Sequence, residues 1–99
     1  EEDEVVGGLY RQGLNYQREG DQKAAINFFK QCIRLDNRHT EALYQLGKIN
    51  EETVKIKNAC IYYERVLAID ENHQPALCSL GALYFREKQY GNAEAYLQK

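Results

Sequence analysis

Two histidines, three cysteines and a single serine are the side chains in this sequence whose chemistry could go beyond packing. His39 and His73 stand 34 residues apart, and each follows an aspartate, Asp36 or Asp70, by three positions. Imidazole and carboxylate both bind divalent metals, but a structural zinc site needs four protein ligands and a catalytic one three. One His–Asp pair completes neither, so the histidines read as solvated turn residues and no metal site is expected. Ser79 has no histidine or acid placed by the spacing to activate it. No catalytic residue emerges, and the chain reads as a non-enzyme. Gly7-Gly8 lacks the G-K-[ST] that completes a phosphate-binding loop, so no cofactor is expected either. Cys32, Cys60 and Cys78 are odd in number with no C-x-x-C spacing, which suits a reducing, intracellular and cytoplasmic setting. Cys32 and Cys60 fall on apolar helix faces and read as core. Cys78 falls on the opposite face and is the accessible thiol, with no basic neighbour in the sequence to activate it.

The elements that hold these residues are bounded by composition. Ninety-nine residues, 43% hydrophobic and 28% charged with one proline, make a single packed domain rather than a disordered chain. No apolar run approaches the 18 residues of a membrane span, and Glu1, Glu2, Asp3 and Glu4 cannot form the basic start of a signal peptide. No methionine occurs anywhere, so the chain is expected to be a piece of a longer protein. Net charge is -2, and no global field draws in nucleic acid or an anionic membrane; neither is expected as a partner.

Periodicity supplies the organisation. Gly13, Gly47 and Gly81 recur at 34 residues, and sliding the chain by 34 aligns 65 pairs, of which 14 are identical against about four expected by chance. Leu9, Leu43 and Leu77 precede each glycine by four; Ala25, Ala59 and Ala93 follow it by twelve. Phe29, Tyr63 and Leu97 follow it by sixteen, and Phe28, Tyr62 and Tyr96 by fifteen. The units run 6–39, 40–73 and a truncated 74–99, behind an acidic leader at 1–5. Leu9, Gly13 and Tyr16, with their counterparts, fall at i, i+4, i+7, one stripe of a first helix; Ala25, Phe28, Phe29, Cys32 and Ile33 make the stripe of a second. Glycine costs a helix interior about 1 kcal/mol relative to alanine, so its recurrence implies close approach of the second helix's backbone. Tyr62, Tyr63 and Tyr96 read as inter-helix packing. With Gly20-Asp21 as stop and N-cap, and Asn37, Asn72 and Pro75 marking the inter-repeat turns, the spacing predicts helices over 6–18, 22–36, 40–52, 56–70, 74–87 and 90–99.

Leu43, Leu46-Gly47, Ala59 and Tyr63, followed by Leu77, Leu80-Gly81, Tyr84, Tyr90 and Ala93, resemble the tetratricopeptide repeat (TPR) pattern. The resemblance covers 6–99. Leucine replaces the usual tryptophan in all three units, Cys32 and Val66 replace a small alanine, and Asn37 and Glu71 stand where proline is usual. The turn glycine Gly20 becomes Val54 and Lys88, which suggests a different second turn or a longer helix before it. The resemblance implies an all-α fold of antiparallel helix-turn-helix units stacked as a right-handed solenoid, and a concave groove that binds a partner's peptide or helix. Residue by residue it implies a lining of Tyr10, Arg11, Leu14, Gln17 and Arg18; Tyr44, Gln45, Lys48, Glu51 and Glu52; Cys78, Ser79, Ala82, Phe85 and Arg86. Tyr10, Tyr44 and Phe85 stand as anchors, because aromatics are enriched in binding hot spots, with the flanking charges selecting a charge pattern. An ordinary solvated face is the plain alternative for the charged members. The second functional reading is an architectural stretch of a longer solenoid in a multi-protein assembly. TPR domains that grip acidic chaperone tails share a carboxylate clamp of Lys, Asn, Asn, Lys and Arg. The corresponding positions here are Tyr10, Leu14, Gln45, Pro75 and Ser79, so that clamp is missing. Ala93, Tyr96 and Leu97 would remain uncovered at the C-terminal edge, and self-association through that last helix is expected.

Overall fold

The computed structural model describes the backbone of residues 2–89 and the side chains of residues 4–86. Five helices follow one another, α1 Glu2–Arg18, α2 Gln22–Leu35, α3 Thr40–Glu52, α4 Ile56–Ile69 and α5 Gln74–Gln89, with no strand among the described residues. They match the predicted spans to within two residues except at the start, where α1 runs back through the acidic leader. A carboxylate near the start of a helix lies toward the positive end of its dipole, so Glu4 favours that extension. The predicted sixth helix, with Tyr90, Ala93, Tyr96 and Leu97, lies outside the described residues, and so does the uncovered edge expected there.

Each helix packs chiefly against the one before and the one after it, as a linear stack requires. Two buried clusters result. Val6, Ala25, Phe29, Cys32, Ala42, Leu46 and Ile49 join α1, α2 and α3; Leu43, Ala59, Cys60, Tyr63, Val66, Ala76, Leu80 and Leu83 join α3, α4 and α5. Ile33 and Tyr62 touch both clusters and fuse them. The second-helix stripe is borne out at Ala25, Phe29, Cys32, Ala59, Tyr63 and Val66, and Cys60 is buried as expected. The first-helix stripe is only partly core: Leu43, Gly47 and Asn50 are buried, Leu77 and Gly81 are exposed, and Val6, Ala42, Leu46, Ile49, Ala76, Leu80 and Leu83 supply the rest.

The glycine column has a different cause from the one the sequence suggests. A Cβ on Gly13 would stand 2.6 Å from Cε1 of Phe29, and one on Gly47 would stand 2.6 Å from Cε1 of Tyr63. The close neighbour is a ring, not the second helix's backbone, which is why an aromatic follows each of these glycines by sixteen residues. Gly81's register mate, Leu97, lies outside the described residues.

The turns within the first two units are also the same, contrary to the expectation from Val54. Gly20 N–H bonds the Gln17 carbonyl and Asp21 N–H bonds that of Tyr16; Val54 N–H bonds that of Glu51 and Lys55 N–H that of Asn50. Both are Schellman closures. Val54 enters the left-handed region at φ 63, where Gly20 sits at φ 88. A β-branched residue there is strained, and the hydrogen-bonded closure of α3 onto α4 holds it. Thr53 helps, its hydroxyl bonding the Ile49 and Asn50 carbonyls.

Candidate functional site

His39 and His73 are not solvated turn residues. Each is the N-cap of the following helix: His39 Nδ1 accepts from Ala42 N–H at 3.1 Å, and His73 Nδ1 accepts from Ala76 N–H at 3.1 Å. Asp36 and Asp70 form the turn ahead of them, accepting from the N–H groups of Arg38 and Asn72. The imidazoles are then covered by the preceding repeat, His39 with its ring centroid 5.1 Å from that of Tyr10, and His73 5.3 Å from that of Tyr44. A histidine can therefore cap where Ser or Asp is usual, because the ring also fills the joint between repeats. Among the described residues no group of three or more His, Cys, Asp or Glu could hold a metal.

That joint fixes the two tyrosines expected as groove anchors. Tyr10 also meets Phe29 at 5.7 Å, and Tyr44 meets Tyr63 at 5.7 Å. Both are half-buried, so each divides its surface between packing and the open face. Burial pushes the Tyr10 hydroxyl above its ordinary pKa, opposed by the nearby Gln45 amide. Tyr63 is fully buried; burial first, then its bond to Glu51, holds its hydroxyl protonated well past the ordinary tyrosine range.

The charged members of the predicted lining separate. Glu51 Oε1 accepts from the Tyr63 hydroxyl at 2.8 Å, and Oε2 lies 4.0 Å from Arg86 Nη1, so this carboxylate is engaged from both α4 and α5. Glu52 turns away to the second helix of the preceding unit, where Gln22 Nε2 donates to it at 2.9 Å. Both keep their negative charge, Glu52 in the open with a neutral amide as partner and Glu51 beside Arg86. Lys48 rises over the Tyr44 ring at 5.8 Å, with no ion pair to a described residue. Arg11, Leu14 and Arg18 come together with Gly8, Gln12 and Asn15 around a hollow of about 330 Å³ on α1. There Arg18 donates to Asn15 Oδ1 at 2.7 Å. Asn15 is absent from the predicted lining, although Arg11, Asn15 and Arg18 at i, i+4, i+7 share a helix face. Phe85 is 62% exposed, the large apolar side chain most open on α5. Gln17 is half-buried, and Cys78 and Ala82 are exposed on α5. Ser79 is half-buried on α5, near the Tyr63 hydroxyl.

The first helices α1, α3 and α5 thus carry one side of the stack and α2 and α4 the other, in units that repeat every 34 residues. The family model described as tetratricopeptide repeat matches residues 6–39, 40–73 and 74–99. The chain belongs to the tetratricopeptide repeat family. A comparison with curated protein sequences finds no match. Tetratricopeptide repeats generally mediate protein–protein interaction and are typically non-catalytic. The expected departures of this TPR chain from the family pattern have structural substitutes: Cys32 and Val66 are fully buried where a small alanine is usual, and Val54 takes the turn glycine's conformation. No described helix is long and apolar enough to cross a membrane.

Proposed function

We propose that this TPR chain holds a peptide or helix of a partner protein in a groove along α1, α3 and α5. The supporting observation is Phe85, a large apolar side chain left 62% exposed on the side that also bears the open edges of Tyr10 and Tyr44. Exposed aromatics flanked by fixed polar groups are the usual anchors of such contacts. Arg11, Arg18 and Lys48 lie beside Glu51 and Glu52 in this lining, so the preferred ligand combines apolar anchors with flanks of mixed charge. An acidic chaperone tail still lacks its clamp. Tyr10, Leu14, Gln45, Pro75 and Ser79 supply no cation. Cys32, Cys60 and Cys78 form no disulfide among the described residues, in keeping with a reducing, intracellular setting.

A random peptide library displayed on phage, panned on the chain, tests this. Enriched peptides should lose at least tenfold in affinity with Phe85→Ala and with Lys48→Ala. Enriched peptides indifferent to both changes would refute the groove. A library that yields no binder would favour the architectural reading, a stretch of a longer solenoid in an assembly.

A further inference from the structure

The other side of the stack carries a hollow that the groove does not use. Between α2 and α4 lies a cavity of about 360 Å³ whose polar rim is Lys30, Lys55 and Arg65, with the amides of Asn50 and Asn58. That volume falls in the range of pockets that take small groups. Its lining holds three cations and no carboxylate. None of the three makes an ion pair with a described residue, in a chain whose net charge is -2. Like charges gathered around one hollow repel, and an anion between them relieves that repulsion.

Three further features narrow the ligand. The Arg65 guanidinium lies 5.9 Å over the Tyr62 ring, which holds its planar donors ready for a carboxylate. Helix α4 begins at Lys55 with no side-chain cap, whereas Asp21, His39 and His73 cap α2, α3 and α5. Its first-turn N–H groups add positive potential beside Lys55 and Asn58. Asn50 is only 9% exposed, and its Nδ2 donates to the Leu46 carbonyl at 2.7 Å, while its Oδ1 accepts from no described residue. This oxygen calls for a donor, which a peptide N–H supplies and a fully ionised phosphate does not. The wall is apolar: Ile61 is 50% exposed and Ile26 half-buried.

We propose that this cavity is a second binding site, on the side opposite the groove, for an acidic peptide segment of a partner protein that carries an aliphatic residue. Carboxylates meet Lys30, Lys55 and Arg65, a backbone N–H meets Asn50, and the aliphatic side chain lies on Ile26 and Ile61. Charge-assisted bonds to exposed lysines weaken with salt, so affinity should fall as ionic strength rises. The site makes a TPR chain of this length bivalent, gripping one partner segment on each side.

The test uses the whole 99-residue chain and two fluorescein-labelled peptides, EDLEEIE and its neutral counterpart QNLQQIQ, read by anisotropy. The acidic peptide should bind at least tenfold more tightly than the neutral one. Lys30→Gln with Arg65→Gln should lose at least tenfold, and Ile61→Ser several-fold, while Phe85→Ala leaves this binding unchanged. Lys30, Ile61 and Arg65 are exposed, so these variants should retain the helical dichroism of the parent. Absence of binding by EDLEEIE overturns the proposal, as does binding indifferent to the Lys30/Arg65 change. Binding lost with Phe85→Ala instead would assign the acidic peptide to the groove. Displacement of the peptide by inorganic phosphate at equal concentration would make the cavity a simple anion site, and displacement by phosphatidylserine vesicles a lipid one; either result also overturns it.

Discussion

Replacing Gly47 by alanine tests the packing that generates the repeat. The added methyl would sit 2.6 Å from Cε1 and 2.8 Å from Cδ1 of Tyr63, whereas carbon atoms settle at about 3.5 to 4.0 Å, so the ring must retreat by roughly 1 Å. It has little room to do so. Tyr63 is fully buried, its hydroxyl is held by Glu51 at 2.8 Å, and its ring lies against Tyr44. Overpacking of this kind costs about 1 to 3 kcal/mol, and straining the hydroxyl bond adds about 1 kcal/mol. Alanine recovers about 1 kcal/mol of helix propensity. The net loss is about 1 to 3 kcal/mol, a fall of roughly 5 to 15 °C in Tm for a domain of this size. Gly8→Ala is the internal control: its methyl meets only Arg11 Nη2 at 4.0 Å, an ordinary contact, so stability should rise by about 0.5 to 1 kcal/mol. Urea unfolding followed by helical dichroism measures both. Gly47→Ala combined with Tyr63→Leu should show a favourable coupling of at least about 1 kcal/mol, since the smaller side chain vacates the space. A Gly47→Ala chain as stable as the parent, or a double variant without coupling, would refute the account of the glycine column.

Val54→Gly should raise stability by about 0.5 to 1 kcal/mol, since relief of a left-handed valine outweighs the added freedom of the unfolded chain, and a lower Tm would refute the strain. His73→Asn keeps an N-cap acceptor but loses the contact with Tyr44, whereas His73→Ala loses both; in thermal melts alanine should cost about 1 kcal/mol more than asparagine. The raised Tyr63 pKa makes the folded state hold a proton that the unfolded chain releases above about pH 10. Its stabilisation is therefore complete below pH 10 and is lost as pH rises beyond it, so urea midpoints should decline there, less steeply in Tyr63→Phe.

The helical repeat was legible in the sequence because a helix face is a local property. Apolar residues at i, i+4, i+7 declare it, and a 34-residue period declares that each unit solves the same packing problem. Gly20-Asp21 announced one turn for the same reason: a positive φ and a cap depend on the chain within a few residues. Where the neighbouring unit decides, the sequence was silent. His39 and His73 could be seen to recur, but only the stacked repeats reveal that their rings fill a joint against Tyr10 and Tyr44 while Nδ1 caps a helix. Val54 looked like a broken turn; the closure of α3 onto α4 forces it into glycine's conformation, because that closure satisfies carbonyls the helix end would otherwise leave bare. Glu51 and Glu52 are adjacent and chemically alike, yet one faces Tyr63 and Arg86 and the other Gln22, since consecutive residues on a helix point about 100° apart and meet different neighbours. Lys30 and Arg65 stand 35 positions apart in the chain and meet around one cavity only because α2 and α4 are stacked. A period fixes which residues are equivalent from unit to unit; which residues of different units meet depends on how closely the units approach, and that distance is set by the rings and methyl groups buried between them.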